Sequence, residues 1–374
     1  MYITENKLRY DYKIVKYTTG FREDVISLLS YMWKRPMSQR DDIFKWKYEN
    51  NPLTDIPYAY VALYDNRVAG FRGFFPTRFK INDELVSMLS PADTIVDPNH
   101  RRRGLFTTMT KFAMREITEE GKIKFFLNLS SNQYSIPGYL KMGWTAVSPE
   151  YPLISKTFTG LFHGKISGRK FYKNNKIIFD VLDEIIYNML GSESGDENGK
   201  LEVSLRIDAK DMAELCELRE RKRLTHIKDR RYLEWRFKRP WTPYIMCYLW
   251  NSVGELEAYT VLLYKREGYY QLVDYEYREP QHIQKLLSTL FKRFKINFVT
   301  TWGFAKEKET INSLKKSGFY LPRFIYKLNP RYEPLPFLVR PVGILENKNA
   351  WNVLGYDVRD VNSWNLNPID SDGT

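Results

Sequence analysis

Cysteine is nearly missing from this chain: of 374 residues only Cys216 and Cys247 carry a thiol. Two thiols without metal-ligand spacing exclude a disulfide framework, and with only four histidines they offer no metal centre. Long apolar runs are missing as well. No segment approaches the roughly 20 consecutive apolar residues that a membrane span requires. The first 17 residues alternate polar and apolar side chains and lack the apolar centre of a secretory leader. These absences point to a cytoplasmic protein with reduced thiols and no bound metal. Acidic residues are the third shortage, 45 against 58 Lys and Arg, for a net charge of +13. That surplus suits anionic partners such as the phosphates of a nucleotide-bearing cofactor, a nucleotide-sugar, an acidic membrane face or RNA, and selects none of them; nothing singles out DNA.

What is present is the composition of a globular protein, 43% hydrophobic and 28% charged, in a chain long enough for two domains with separate cores. The 27 tyrosines serve either as stacking platforms or as core filling. An internal repeat organises the rest. Phe44, Trp46 and Tyr48 precede Asn51-Pro52, and Leu233, Trp235 and Phe237 precede Arg239-Pro240, with the tryptophans 189 positions apart. A hairpin pattern follows each, turning at Asp65-Asn66 in the first half and between Asn251 and Gly254 in the second. Ala92-Asp93 then corresponds to Val273-Asp274, and Lys141-Met142-Gly143-Trp144 to Lys316-Ser317-Gly318-Phe319. Four landmarks in the same order predict a duplicated α+β unit, the second copy shortened after its fourth strand. The expected division is a first domain over 1–150, a basic bridge and linker helix over 151–200, a second domain over 201–330 and an extended tail over 331–374. The bridge is rich in lysine and arginine from Lys156 to Lys176. Such a run is either a solvated loop or a contact with an anionic membrane or a polyphosphate substrate.

The chemistry is concentrated between Ser90 and Trp144. A strand over Met88–Val96 ends at Pro98. The basic turn His100-Arg101-Arg102-Arg103-Gly104 follows, and then a helix with Phe106, Met109, Ala113 and Ile117 on one face. Such a turn presents free backbone N–H groups at a positive helix end, where the glycine permits close approach and the arginines add charge, so that a pyrophosphate fits there.

These residues resemble a known family. Val96-Asp97-Pro98 followed by Arg101 and Gly104 is similar to the acetyl-CoA signature of the GNAT superfamily of N-acetyltransferases, with Phe106 where that signature ends in Gly or Ala. Asn132, followed by Tyr139 and Gly143-Trp144, is similar to the second GNAT signature. The resemblance implies two GNAT-like mixed-sheet domains in tandem, with acetyl-CoA as cosubstrate. It also implies that the amides of Arg102, Arg103, Gly104, Leu105 and Phe106, with Arg101, bind the pyrophosphate. The Ile95–Val96 edge would pair with the pantetheine, Asn132 would contact the same arm, and Tyr139 would protonate the departing thiolate. Aminolysis of a thioester asks for little beyond a neutral amine, a polarised carbonyl and that proton. Asp93, two residues before the acetyl site, can relay the amine's proton through water or satisfy nearby backbone groups; the matching Asp274 favours the latter.

The second half has neither the glycine turn nor the tyrosine. Tyr277-Arg278-Glu279-Pro280 stands where the turn should be, and Leu314 stands at the place of Tyr139. Its expected part is to shape the cleft, with Trp235, Trp302, Tyr269 and Tyr270 as stacking surfaces or core. The leading expectation is acetyl transfer to a primary amine of a small molecule, such as an amino sugar. Two alternatives stand beside it: a tRNA-dependent peptidyltransferase of the FemABX type, which the tandem arrangement also resembles, and a non-catalytic module that senses CoA or a metabolite.

Overall fold

The computed structural model describes residues 11–130, 132–149, 152–155, 200–218, 222–266, 268–293, 296, 298–320, 335–343, 345 and 347–372. The basic run from Lys156 to Lys176 and the linker helix lie outside them. Among the described residues the chain forms two large mixed sheets with helices on their faces.

The first sheet begins with β1 (Lys13–Lys16), β2 (Ala59–Tyr64), β3 (Arg67–Ile81) and β4 (Glu84–Val96), each antiparallel to the next. Asp65 and Asn66, both at positive φ, make the tight turn between β2 and β3, the conformation that a two-residue hairpin demands. The helix α3 (Leu105–Glu120) then crosses over to β5 (Phe125–Asn128), which lies parallel to β4. Helices α1 (Arg22–Leu28) and α2 (Met37–Phe44) lie between β1 and β2 in the chain, α4 (Ile136–Lys141) follows β5, and β6 (Thr145–Pro149) closes the half. Met109, Ala113 and Ile117, one turn apart, are all buried on the inner side of α3.

The second half repeats the plan. It comprises β8 (Lys200–Ser204), α5 (Ala209–Leu218), β9 (Leu224–His226), α6 (Arg230–Arg236), β10 (Tyr244–Trp250), β11 (Leu256–Arg266), β12 (Tyr269–Tyr277), α7 (Pro280–Arg293), β13 (Phe298–Trp302), α8 (Lys308–Lys316) and β14 (Phe319–Tyr320). Again the meander is antiparallel, and the pairing of β12 with β13 after the crossover helix is parallel.

Sheet membership crosses the boundaries expected at 150 and 331. The short strand β7 (Pro152–Ser155), which follows the first half, lies between β13 and β14 of the second sheet. Reciprocally, β15 (Pro336–Pro341), from the tail, lies between β5 and β6 of the first sheet. Each half is thus completed by a strand that follows the other half in sequence. The tail is more than an extended strap. It also supplies a small hairpin of β16 (Asn352–Val353) and β17 (Tyr356–Asp357), and β18 (Trp364–Asn365), which runs parallel to β9.

The halves meet across a near-twofold contact. Trp46 and Trp235 stack at 4.8 Å with their planes 12° apart. Each indole N–H donates to the other's backbone carbonyl at 2.9 Å. Two residues predicted to be equivalent by repeat thus form mirror halves of one buried contact.

Candidate active site

The ladder between β4 and β5 covers only Met88 and Leu89 on β4. Beyond it the strands splay, and Ser90–Val96 keeps a partner on the β3 side alone. The open edge faces a cavity of about 750 Å³. Its lining joins Asp93, Thr94 and Val96 from β4, Arg101, Arg102 and Gly104 from the turn, Leu105 and Phe106 from α3, Asn132 from the loop after β5, and Tyr139 from α4.

At one end stands the basic turn. Arg102 at φ +60° and Gly104 at φ +81° bend the backbone so that successive amides face one side, an anion-binding concavity. Gly104 is the N-cap of α3; no side chain caps the helix, and a Cβ there would meet nothing within 4 Å. The first-turn amides of a 16-residue helix are therefore presented to the cavity. Arg101 donates from Nε to the carbonyl of Val96 at 3.2 Å. Two residues of the expected set turn their side chains elsewhere, which leaves the backbone groups expected of them. Arg103 donates to the Tyr12 hydroxyl at 3.0 Å, which in turn meets His100 Nδ1 at 2.7 Å. The Ile95 side chain is buried in the core on the far side of the strand, so only its backbone edge is available.

Tyr139 is 3% exposed. It is held edge-on to Phe106 at 5.4 Å and against Trp144 at 4.9 Å. Phe106, the departure from the acetyl-CoA signature, has a structural partner. A Cβ on Gly138 would come within 2.8 Å of the Phe106 ring, so glycine beside the tyrosine makes room for an aromatic at the helix start. Asn132 Oδ1 accepts from the backbone N–H groups of Tyr134 and Ser135 and so shapes the approach to α4.

At the other end lies a carboxylate cluster. Asp93 sits at a bulge in β4 with φ +43°, a conformation costing about 1–3 kcal/mol for a residue with a Cβ. Three donors hold it: Trp33 Nε1 at 3.1 Å, Lys47 Nζ at 2.5 Å and the Tyr48 hydroxyl at 2.8 Å. Lys47 also donates to Asp372 at 2.9 Å, and Asp372 accepts from Ser130 at 2.6 Å. Burial alone would lower the Lys47 pKa, but Asp372 and Asp93 outweigh it and raise it. Burial alone would raise the Asp372 carboxyl, yet Lys47 and Ser130 bring it below the usual carboxylate range. Tyr48 is pushed well above its ordinary value by burial and by Asp93, so it stays a donor. Gly73 makes this possible, since a Cβ there would fall 2.1 Å from the Tyr48 oxygen. By formal charge the row Asp93–Lys47–Asp372 counts two carboxylates against one ammonium, opposite in sign to the basic turn.

Sequence reasoning found Asp93 and Tyr139 but not Lys47, Tyr48, Ser130 or Asp372. A signal for Tyr48 existed, because its repeat partner is Phe237, without a hydroxyl. Asp372 is 325 positions from Lys47, and no pattern in the tail marks it.

The second half holds a cavity of about 780 Å³ against β12 and β9. Lys228 pairs there with Asp274, and His226 Nδ1 lies 3.1 Å from Asp370 Oδ1. Leu314 is core, and α7 begins at Pro280 with no glycine turn before it. Trp235 and Trp302 are buried as well, so neither offers a stacking face.

Residues 13–147 match the model of the acetyltransferase (GNAT) domain, and the two mixed sheets together share the fold of a tandem GNAT protein. Among solved structures it resembles a conserved protein of Enterococcus faecalis V583 named as a probable N-acyltransferase (TM-score 0.64, 13% identity, 89% of this chain and 73% of that one). It also resembles a GCN5-related N-acetyltransferase from Anabaena variabilis ATCC 29413 (TM-score 0.61, 13% identity, 89% and 73%). A tandem GNAT protein from the clavulanic acid biosynthesis pathway aligns over 89% of this chain and 99% of its own, at TM-score 0.54 and 14% identity. No curated protein matches the sequence.

Proposed function

We propose that the first half transfers an acetyl group from acetyl-CoA to a primary amine of a small molecule, with an amino sugar as the favoured acceptor. The observation that carries this reading is the polarity of one cavity: an uncapped helix start beside two arginines at one end, a net negative carboxylate row at the other, and a buried tyrosine between them. Acetyl-CoA supplies the acyl group as a thioester. The turn from Arg101 to Phe106 binds its phosphates through amides and charge, and the open edge at Ile95–Val96 and Asn132 guide its arm. Asp93 and Asp372 attract the acceptor's ammonium group, and Asp93 takes its proton through water while Lys47 and Tyr48 hold the carboxylate in place. Tyr139 keeps a proton at its phenol oxygen for the sulfur that departs. The second half and the tail shape the acceptor's side of the cleft.

Calorimetry with acetyl-CoA tests the reading. One molecule should bind per chain, and Gly104→Glu should abolish binding, because it places a carboxylate among the phosphate-binding amides at a positive φ. A panel of amines, amino sugars included, should then release CoA. Binding without release would favour a sensor, and no binding at all would favour the tRNA-dependent reading.

A further inference from the structure

Arg72, on β3 opposite the bulge that carries Asp93, is fully buried with 0% exposure. Its Nη1 donates to Thr94 Oγ1. Its Nε and Nη2 have no hydrogen-bond partner, and no carboxylate among the described residues forms an ion pair with it. A guanidinium cannot shed its charge as a buried lysine can, and an unpaired buried cation is costly. What surrounds it is aromatic: the guanidinium carbon lies 4.7 Å from the centroid of Phe74, 5.8 Å from Phe106 and 5.5 Å from Tyr139. Two of those rings line the cavity, and one belongs to the proposed acid. Ring faces compensate a cation only in part, so the arrangement is poised to gain from any negative charge that develops nearby.

Resting on the reading of Tyr139 as the thiolate's proton donor, we propose that Arg72 is a positioning residue: its guanidinium orients the Tyr139 ring and stabilises the negative charge the phenol acquires as it gives up its proton. In that step the O–H bond of Tyr139 breaks and an S–H bond forms on the leaving sulfur. The phenolate left behind is reprotonated through water by the proton that Asp93 took from the amine nitrogen. Attraction between a fixed cation and a charge appearing on a ring whose centroid lies 5.5 Å from it is worth on the order of 10–100-fold in rate.

The test needs no acceptor. Coenzyme A and desulfo-CoA differ by the thiol, whose ordinary pKa is about 8.5. On this proposal the Arg72 cation favours negative charge where the sulfur meets Tyr139, and so favours bound thiolate over bound thiol. In the wild type the preference for CoA over desulfo-CoA, measured by calorimetry, should climb about tenfold between roughly pH 7 and pH 9. Arg72→Gln should flatten that climb, and Arg72→Lys, which keeps the charge, should retain part of it. Acetyl-CoA binding by each variant shows that it is folded; should Arg72→Gln fail this, the reduced climb of Arg72→Lys is read instead. An unchanged climb in the folded Arg72 variants would overturn the role of Arg72 while leaving Tyr139 in place. A flat wild-type profile would instead sink the Tyr139 reading and this one with it.

Discussion

At the scale of single residues, the cavity separates groups that do chemistry from groups that hold them. Tyr139→Phe removes the phenol oxygen and keeps the ring that packs on Phe106 and Trp144. It should lower kcat about 100-fold with little change in acetyl-CoA affinity, measured as CoA release with the best acceptor. Equal kcat in the two proteins would remove Tyr139 from the mechanism. Lys306 gives a prediction of a different kind. It is buried, and donates to the Leu366 carbonyl and to Asn367 Oδ1; burial drives its pKa from 10.5 down to about 7. Between those values the unfolded chain binds the extra proton, so stability rises with pH across that window, and the cost is present in full below about pH 7. A neutral amine still has two N–H groups for its two acceptors, so the contact with the tail survives deprotonation. Urea midpoints should therefore rise from about pH 7 to pH 10 more steeply for the wild type than for Lys306→Met. Identical slopes would mean that Lys306 does not titrate there.

At the scale of elements, the start of α3 and the body of α4 fit each other through Phe106 and Gly138. A methyl group on Gly138 must push the Phe106 ring, and Phe106 contacts Tyr139 directly. Gly138→Ala should cost about 1–3 kcal/mol from overpacking and lower kcat, and Phe106→Ala in the same chain should restore part of the stability. Additive losses in the double variant, seen by thermal melting, would show that the two positions are uncoupled. The element pattern itself was legible in the sequence. The hairpin turn at Asp65-Asn66, the strand through Val96, the amphipathic helix after Gly104 and the short helix bearing Tyr139 all follow from local periodicity and turn chemistry. Tyr48 was visible only as a landmark of the repeat and Lys47 not at all, because their partner Asp93 lies 45 and 46 positions away and hydrogen bonds of that span leave no local trace.

At the scale of the whole molecule, the two halves are bound by exchange. The reciprocal Trp46–Trp235 contact and the swapped strands β7 and β15 are the geometry of a two-fold dimer written into one chain. Trp46→Ala should cost about 3–5 kcal/mol. A double-mutant cycle with Trp235→Ala should give a coupling of about 0.5–1.5 kcal/mol or more, from the stacked rings and shared hydrogen bonds. Deleting residues 335–374 withdraws β15 from between β5 and β6 and Asp372 from Lys47. The first half should then lose its cooperative melting transition, followed by circular dichroism. Taken alone, the sequence determined the duplication, the half that matches the acetyltransferase domain, the glycine turn before α3 and the short helix bearing Tyr139, since each depends on residues close together in the chain, where spacing translates directly into geometry. Only the tertiary structure decided which strand completes which sheet, that the tail brings Asp372 to the cleft, and that Arg72 lies unpaired beneath Tyr139. Those outcomes depend on contacts between distant segments, set by which surfaces bury each other rather than by any local pattern.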